Sequence, residues 1–276
     1  MSILEAFVLG LIQGAAEFLP ISSSGHLVLA QALFGIEENN LAFAILLHLG
    51  TFFAIIVAYK ETVWGLIREF FLMLADIFKG RGANLDESRY RRYIIYIITG
   101  CIPAGVAGVL FDEMFEELFS NVAMVCLMLI LTGFVLVYAE KLSRKTTGSL
   151  EELGVGKSFI VGLFQMCAIM PGLSRSGTTM TGGLVAGLKK EDALEFSFLL
   201  ALPTILGSVV LKLGDLATAI REISLAPVLV GFFTAMTVGY FSIVLFKKTV
   251  KKGSLLSFSV YCWLVAAAII LNLGRF

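Results

Sequence analysis

The chain has 276 residues, of which 58 % are hydrophobic and only 15 % charged, with a formal net charge of zero and a mean hydropathy of +0.91. A soluble domain carries about a quarter charged residues, so a soluble enzyme is excluded and an all-α polytopic membrane protein is expected. The neutral balance offers nothing to nucleic acid, and Cys101, Cys126, Cys167 and Cys262 stand singly in apolar runs without metal spacing.

The chain opens without a basic leader or a small-residue cleavage site, and Ser2 with Glu5 forms a capping-box pattern that starts a helix. Residues 2–36 are apolar but interrupted by PISSSG, and residues 158–188 are apolar but interrupted by PGLSRSG. Each half-segment is short for a bilayer crossing of about 20 residues. Broken helices at membrane depth persist only where protein buries them or they line a cavity, so both regions read as re-entrant helical hairpins. Continuous spans are expected at about 41–59, 93–110, 122–139, 193–211, 226–246 and 255–273. Between the first two, Trp64, Ile67, Phe71, Leu74 and Phe78 recur at helical spacing with charges between them. That pattern fits an amphipathic helix on a leaflet surface and equally a solvated surface helix.

Shifting one broken region by 152 residues lays Gly10-Leu11-Ile12-Gln13 on Gly162-Leu163-Phe164-Gln165, and Ser22, Ser24 and Gly25 on Ser174, Ser176 and Gly177. Each hairpin is followed by three spans. The expected architecture is therefore an inverted-topology repeat, unit 1 at 1–150 and unit 2 at 151–276, together one domain. Lys and Arg concentrate in the loops at 60–92, 140–157, 189–190 and 247–252, whereas Lys212, Arg221 and Arg275 fall on the other side with the acidic stretch at 112–117. The positive-inside rule then puts both termini outside.

Ionisable groups within a membrane mark function by default. Glu17 ends the first half-helix, Pro20 stops it, and Ser22, Ser23 and Ser24 lead into Gly25 and His26. In the second break, Ser174-Arg175-Ser176-Gly177-Thr178-Thr179 opens a helix. Helix N-termini bind anions, and the planar fork of arginine suits phosphate oxygens. A carboxylate among such donors calls for a divalent metal or for acid–base work. Gln13 lies one turn before Glu17 and is placed to help hold a metal or water; its mate Gln165 has Ile169, not a carboxylate, four residues on. His48, in the first span, reads first as a hydrogen-bonded packing residue, with a role in the site as the lesser alternative.

Gln13-x-x-x-Glu17 followed by FLPISSSGH, together with PGLSRSGTT at Pro171 to Thr179, resembles the undecaprenyl-diphosphate phosphatase family of the bacitracin-resistance type, and the resemblance covers essentially the whole chain. That family's first motif takes Glu or Gln at the position of Gln13, so this chain has one acid fewer. The resemblance implies hydrolysis of undecaprenyl diphosphate to undecaprenyl phosphate and inorganic phosphate, with a divalent cation, Mg2+ or Ca2+, and a site open to the outer face of the plasma membrane. It implies that Glu17, His26, Ser23 and Arg175 carry the chemistry, with Ser174, Ser176 and Thr179 around the phosphates. Ser22, Ser24, Gly25 and Gly177 complete the substrate-binding expectation, and Glu17 with Gln13 the metal expectation. The partners are the polyprenyl lipid and the bilayer; homodimerisation stays open. The rival class is an inverted-repeat transporter or flippase for a lipid phosphate, which the architecture suits equally.

Overall fold

The computed structural model describes residues 1–34, 41–119, 121–214 and 224–271. Residues 35–36 of the first hairpin, 272–273 of the last span, Arg221 and Arg275 lie outside them. Among the described residues, regular structure is helical apart from one isolated parallel bridge between Gly148 and Leu188.

The first hairpin is α1 (Ile3–Phe18) and α2 (Ser23–Phe34), and the Ser2–Glu5 capping box opens it as expected. α3 (Leu41–Ala58) meets α4 (Lys60–Phe78) at a 92° bend. Then follow α5 (Arg89–Leu110), α6 (Asp112–Phe119) and α7 (Val122–Ser143). The second hairpin is α8 (Val155–Cys167) and α9 (Arg175–Val185), followed by α10 (Lys190–Leu211), α11 (Leu225–Lys252) and α12 (Leu256–Ile270).

Among the described residues four helices, α5, α7, α10 and α11, are long and apolar enough to cross a membrane, and counting the bent α3–α4 pair as one span raises the number to five. The protein is thus an all-helical polytopic membrane protein. One expectation needs adjusting. The acidic stretch at 112–117 begins a short helix instead of a loop. The described part of the last span is a helix of 15 residues, Leu256–Ile270.

Each hairpin leans on the other half of the chain. α1 packs chiefly against α11, and α8 chiefly against α5. Glycine makes both approaches close. A Cβ on Gly10 would sit 2.6 Å from the Gly231 carbonyl oxygen, and one on Gly14 would sit 2.7 Å from that of Ala235. A Cβ on Gly162, the residue matched with Gly10, would sit 2.5 Å from the Gly100 carbonyl oxygen. Small residues that let backbones touch are how helices associate where lipid removes the hydrophobic drive. At the centre, Phe18 of α1 meets Phe198 of α10 edge-on at 5.3 Å, and Phe198 also contacts Tyr59 and Phe246.

Gly162→Val is expected to be destabilising by about 1–3 kcal/mol or more, because backbone cannot yield to the new side chain. A melting temperature in detergent equal to that of the parent protein would show that α8 and α5 do not make this contact.

Candidate active site

Proline and the αL turn shape the first break. Pro20 follows α1, and Ser22 adopts φ 68°, a conformation that costs a non-glycine residue roughly 1–2 kcal/mol. Its strain is offset locally, since the Gly25 amide donates to Ser22 Oγ at 3.2 Å and α2 begins one residue later, at Ser23. In the second break Gly172, at φ 90°, makes the turn, and Ser174 is the N-cap of α9, accepting from the Gly177 amide at 3.2 Å.

The two breaks cross and clasp. Ser24 Oγ accepts from the Gly172 amide at 3.4 Å, while Ser176 Oγ donates to the Leu19 carbonyl at 3.3 Å. The Ser22 and Ser24 hydroxyls lie 3.3 Å apart, and those of Ser174 and Ser176 lie 3.2 Å apart. A Cβ on Gly25 would touch Gly172, and one on Gly177 would touch Pro20. Thr132 of α7 braces the crossing: the Ser174 amide donates to its hydroxyl at 3.0 Å, and that hydroxyl shares its proton between the Met128 and Gly172 carbonyls at 2.9 and 3.1 Å. Thr179 donates to the Arg175 carbonyl at 2.7 Å and pairs with the Ser197 hydroxyl. The hydroxyls of Ser22, Ser24, Ser174, Ser176 and Thr179 are therefore engaged within the clasp.

The first residues of the two inner half-helices point at one carboxylate. Ser23 Oγ donates to Glu17 Oε2 at 2.6 Å. Arg175 Nη2 donates to Glu17 Oε1 across the two breaks. Gln13 Nε2 donates to Glu17 Oε2 at 2.9 Å, and His48 Nε2 lies 3.6 Å from the same oxygen. Glu17 and Gln13 are buried, and Arg175 is largely so. Two buried atoms beside this carboxylate have no partner, Gln13 Oε1 and Arg175 Nη1; Thr178 Oγ1 and Gln165 Oε1 are also unpaired. Such orphans are rare unless a ligand or ion serves them.

His26 is tied differently. Its Nδ1 donates to the Ser22 carbonyl at 2.8 Å, its Nε2 meets the Tyr261 hydroxyl at 2.9 Å, and the two rings stack. It lies one turn beyond Ser23 on the same side of α2. His48, read from the sequence as packing ahead of a site role, donates from Nδ1 to the Ala44 carbonyl at 2.7 Å and so turns Nε2 towards Glu17. An ionisable side chain inside an apolar span was the available signal.

A family model described as bacitracin resistance protein BacA matches residues 6–268. The chain belongs to this family. Among curated relatives, an undecaprenyl-diphosphatase of Methanobrevibacter smithii is 39 % identical, over 99 % of this chain and 98 % of the relative. An undecaprenyl-diphosphatase of Alkaliphilus metalliredigens is 37 % identical, over 98 % of each chain. Undecaprenyl-diphosphatase 1 of Shouchella clausii is 40 % identical, over 96 % of this chain and 95 % of the relative. The match to the BacA family thus takes in both hairpins and the helices between them.

Ser176→Ala removes a clasp bond and should lower the melting temperature, by the equivalent of about 1 kcal/mol, while turnover of the folded protein falls less than roughly tenfold. An unchanged melting temperature with a larger loss of turnover would place Ser176 on the substrate instead.

Proposed function

We propose that the chain removes the terminal phosphate of undecaprenyl diphosphate, yielding undecaprenyl phosphate and inorganic phosphate. Membership of the BacA family and the names of its relatives support the reaction. The observation that carries the site assignment is the Ser23–Glu17–Arg175 set: a hydroxyl on a carboxylate, and a guanidinium with one free nitrogen, at the starts of two inner half-helices. A hydroxyl donating to a carboxylate is a nucleophile beside its base.

In this reading Arg175 offers Nη1 to the diphosphate, and both helix starts add positive potential. As phosphate arrives, Arg175 shifts its other nitrogen from Glu17 to a phosphate oxygen, which releases Glu17 to act. Ser23 Oγ attacks the terminal phosphorus as its proton passes to Glu17 Oε2, the anhydride P–O bond breaks, and Glu17 hands that proton to the departing undecaprenyl phosphate. Water then attacks the seryl phosphate: Glu17, again ionised, takes the water's proton and returns it to Ser23 Oγ as inorganic phosphate leaves. His48 stands beside Glu17 to steady its charge. His26, at the mouth with Tyr261, meets the outgoing phosphate.

A divalent cation fits this donor set only with the substrate's help. Among the described residues no three His, Cys, Asp or Glu side chains gather round a point. Mg2+ is commonly held by one or two carboxylates plus substrate phosphates, and Glu17 with the orphaned Gln13 Oε1 supplies that protein share. The ion would neutralise charge on the diphosphate.

The site faces outward at the plasma membrane by the lysine and arginine distribution, with both termini outside. Such a site recycles the lipid carrier of peptidoglycan synthesis and confers bacitracin resistance. The inverted repeat is part of the proposal; it is supported by the exchanged contacts of α1 with α11 and of α8 with α5, and by the paired clasp bonds.

Phosphate release from a polyprenyl diphosphate by the purified protein in detergent tests the reaction. Glu17→Gln and Ser23→Ala should each lower turnover roughly 10²-fold or more, and Arg175→Lys should stay strongly impaired because it loses the fork. Full activity of any of the three, at equal protein level, removes that residue from the mechanism. Orientation has its own test. In a background lacking the native cysteines, a membrane-impermeant thiol reagent should label Glu116→Cys on intact cells and reach Ser149→Cys only after permeabilisation. The reverse pattern would turn the site to the cytoplasm.

A further inference from the structure

α4 has its charges sorted by sign. Glu69 and Asp76 lie seven residues apart, on the side of the helix turned to the protein, where buried Arg91 of α5 holds them at 3.1 and 2.8 Å. Arg91 also binds Glu87 at 2.9 Å and the Ala83 carbonyl at 3.2 Å. Gly65 shares that side, against the ring of Tyr90. On the opposite side, Trp64, Phe71 and Phe78 are 68, 65 and 87 % exposed, with Ile67 between them. Lys60, Arg68, Lys79 and Arg81 are exposed as well. Arg68 and Arg81 come only to 3.8 and 3.9 Å of Glu69 and Asp76, whose nearer partner is Arg91. Glu61 is the exposed acid of α4 among these cations.

The bend between α3 and α4 adds a place for a chain. Ile56, Val63, Trp64 and Ile67, with Lys60 and Glu61 at the edge, line a hollow of about 460 Å³. A solvated helix would turn its acids outward and its aromatic rings inward. Here the acids are withdrawn into the protein and the rings and cations are left outside.

We propose that the α3–α4 elbow and the outer face of α4 form a binding site for an anionic phospholipid. An acyl chain enters the hollow beside Trp64, and the headgroup phosphate rests among Lys60, Arg68 and their neighbours. Charge complementarity carries the choice of occupant: basic residues beside a membrane face attract anionic lipids, and an amphipathic helix with this pattern lies in the interface. The site is separate from Glu17 and does not depend on the reaction proposed above.

Trp64 and Trp263 are the chain's only tryptophans, so Trp64 emission is obtained by subtracting the signal of the Trp64→Phe protein. The full-length protein is reconstituted in phosphatidylcholine vesicles containing a minor share of brominated phosphatidylglycerol, or in the converse mixture with brominated phosphatidylcholine. Brominated phosphatidylglycerol is expected to quench Trp64 at least about two-fold more than the same share of brominated phosphatidylcholine. The combined variant Lys60→Gln, Arg68→Gln, Lys79→Gln and Arg81→Gln should abolish that preference. Equal quenching by both lipids in the parent protein would reduce the face to ordinary bilayer contact and overturn the proposal. Quenching by neither, with crosslinking between copies through Trp64→Cys, would assign the face to a second copy of the chain and overturn it as well.

Discussion

The pairing of Glu17 with Arg175 across two helix breaks is the constraint around which the rest is arranged. Neither charge is tolerable alone where lipid surrounds the bundle, and removing one partner of a buried pair typically costs about 3–5 kcal/mol. The pair can form only if both hairpins stop at the same depth and face each other. The clasp of Ser24 on Gly172 and of Ser176 on Leu19 holds that depth. The glycine contacts of α1 and α8 hold the lateral position.

Within this frame the two halves contribute unequally to a matched pattern. Ser23 and Arg175 occupy corresponding positions, each the first residue of its inner half-helix. Both reach Glu17, whose own counterpart is Ile169. One half therefore supplies an acid and a hydroxyl, and the other supplies the cation. The carboxylate also occupies the anion position that two helix starts would otherwise offer to phosphate. In the form described, the site is satisfied by its own acid, apart from the free nitrogen of Arg175 and the free oxygen of Gln13.

Much of this is legible in the sequence because breaks in apolar segments leave strong marks. Pro20, Ser22–Ser24, Pro171-Gly172 and Ser174–Ser176 locate both turns, and a shift of 152 residues aligns them. The amphipathic period of 60–78 also reads directly as a helix. What the sequence does not reveal is which hydroxyls face a ligand. The caps and anion contacts draw on the same residue types, and only the crossing of the breaks decides that Ser174 and Ser176 are engaged by backbone and by each other. His48 reads first as packing for a related reason. Its closeness to Glu17 is a tertiary fact, while its local neighbours on α3 are ordinary apolar residues.

The glycine contact between α1 and α11 joins Gly10 to Gly231, positions separated by most of the chain. A ribosome adding roughly 5–20 residues per second needs on the order of 10–40 s to cover that interval. For all that time the first hairpin, with its carboxylate and serines, is in the membrane without the surfaces that finally enclose it. Arg175 emerges before α11 does, so the charge can be neutralised before the helix can be packed. The order of synthesis therefore lets electrostatic capture of one break by the other precede the close backbone contact. A chain cut between its halves would still carry both sets of contacts, and its pieces would have to find each other by the same ion pair.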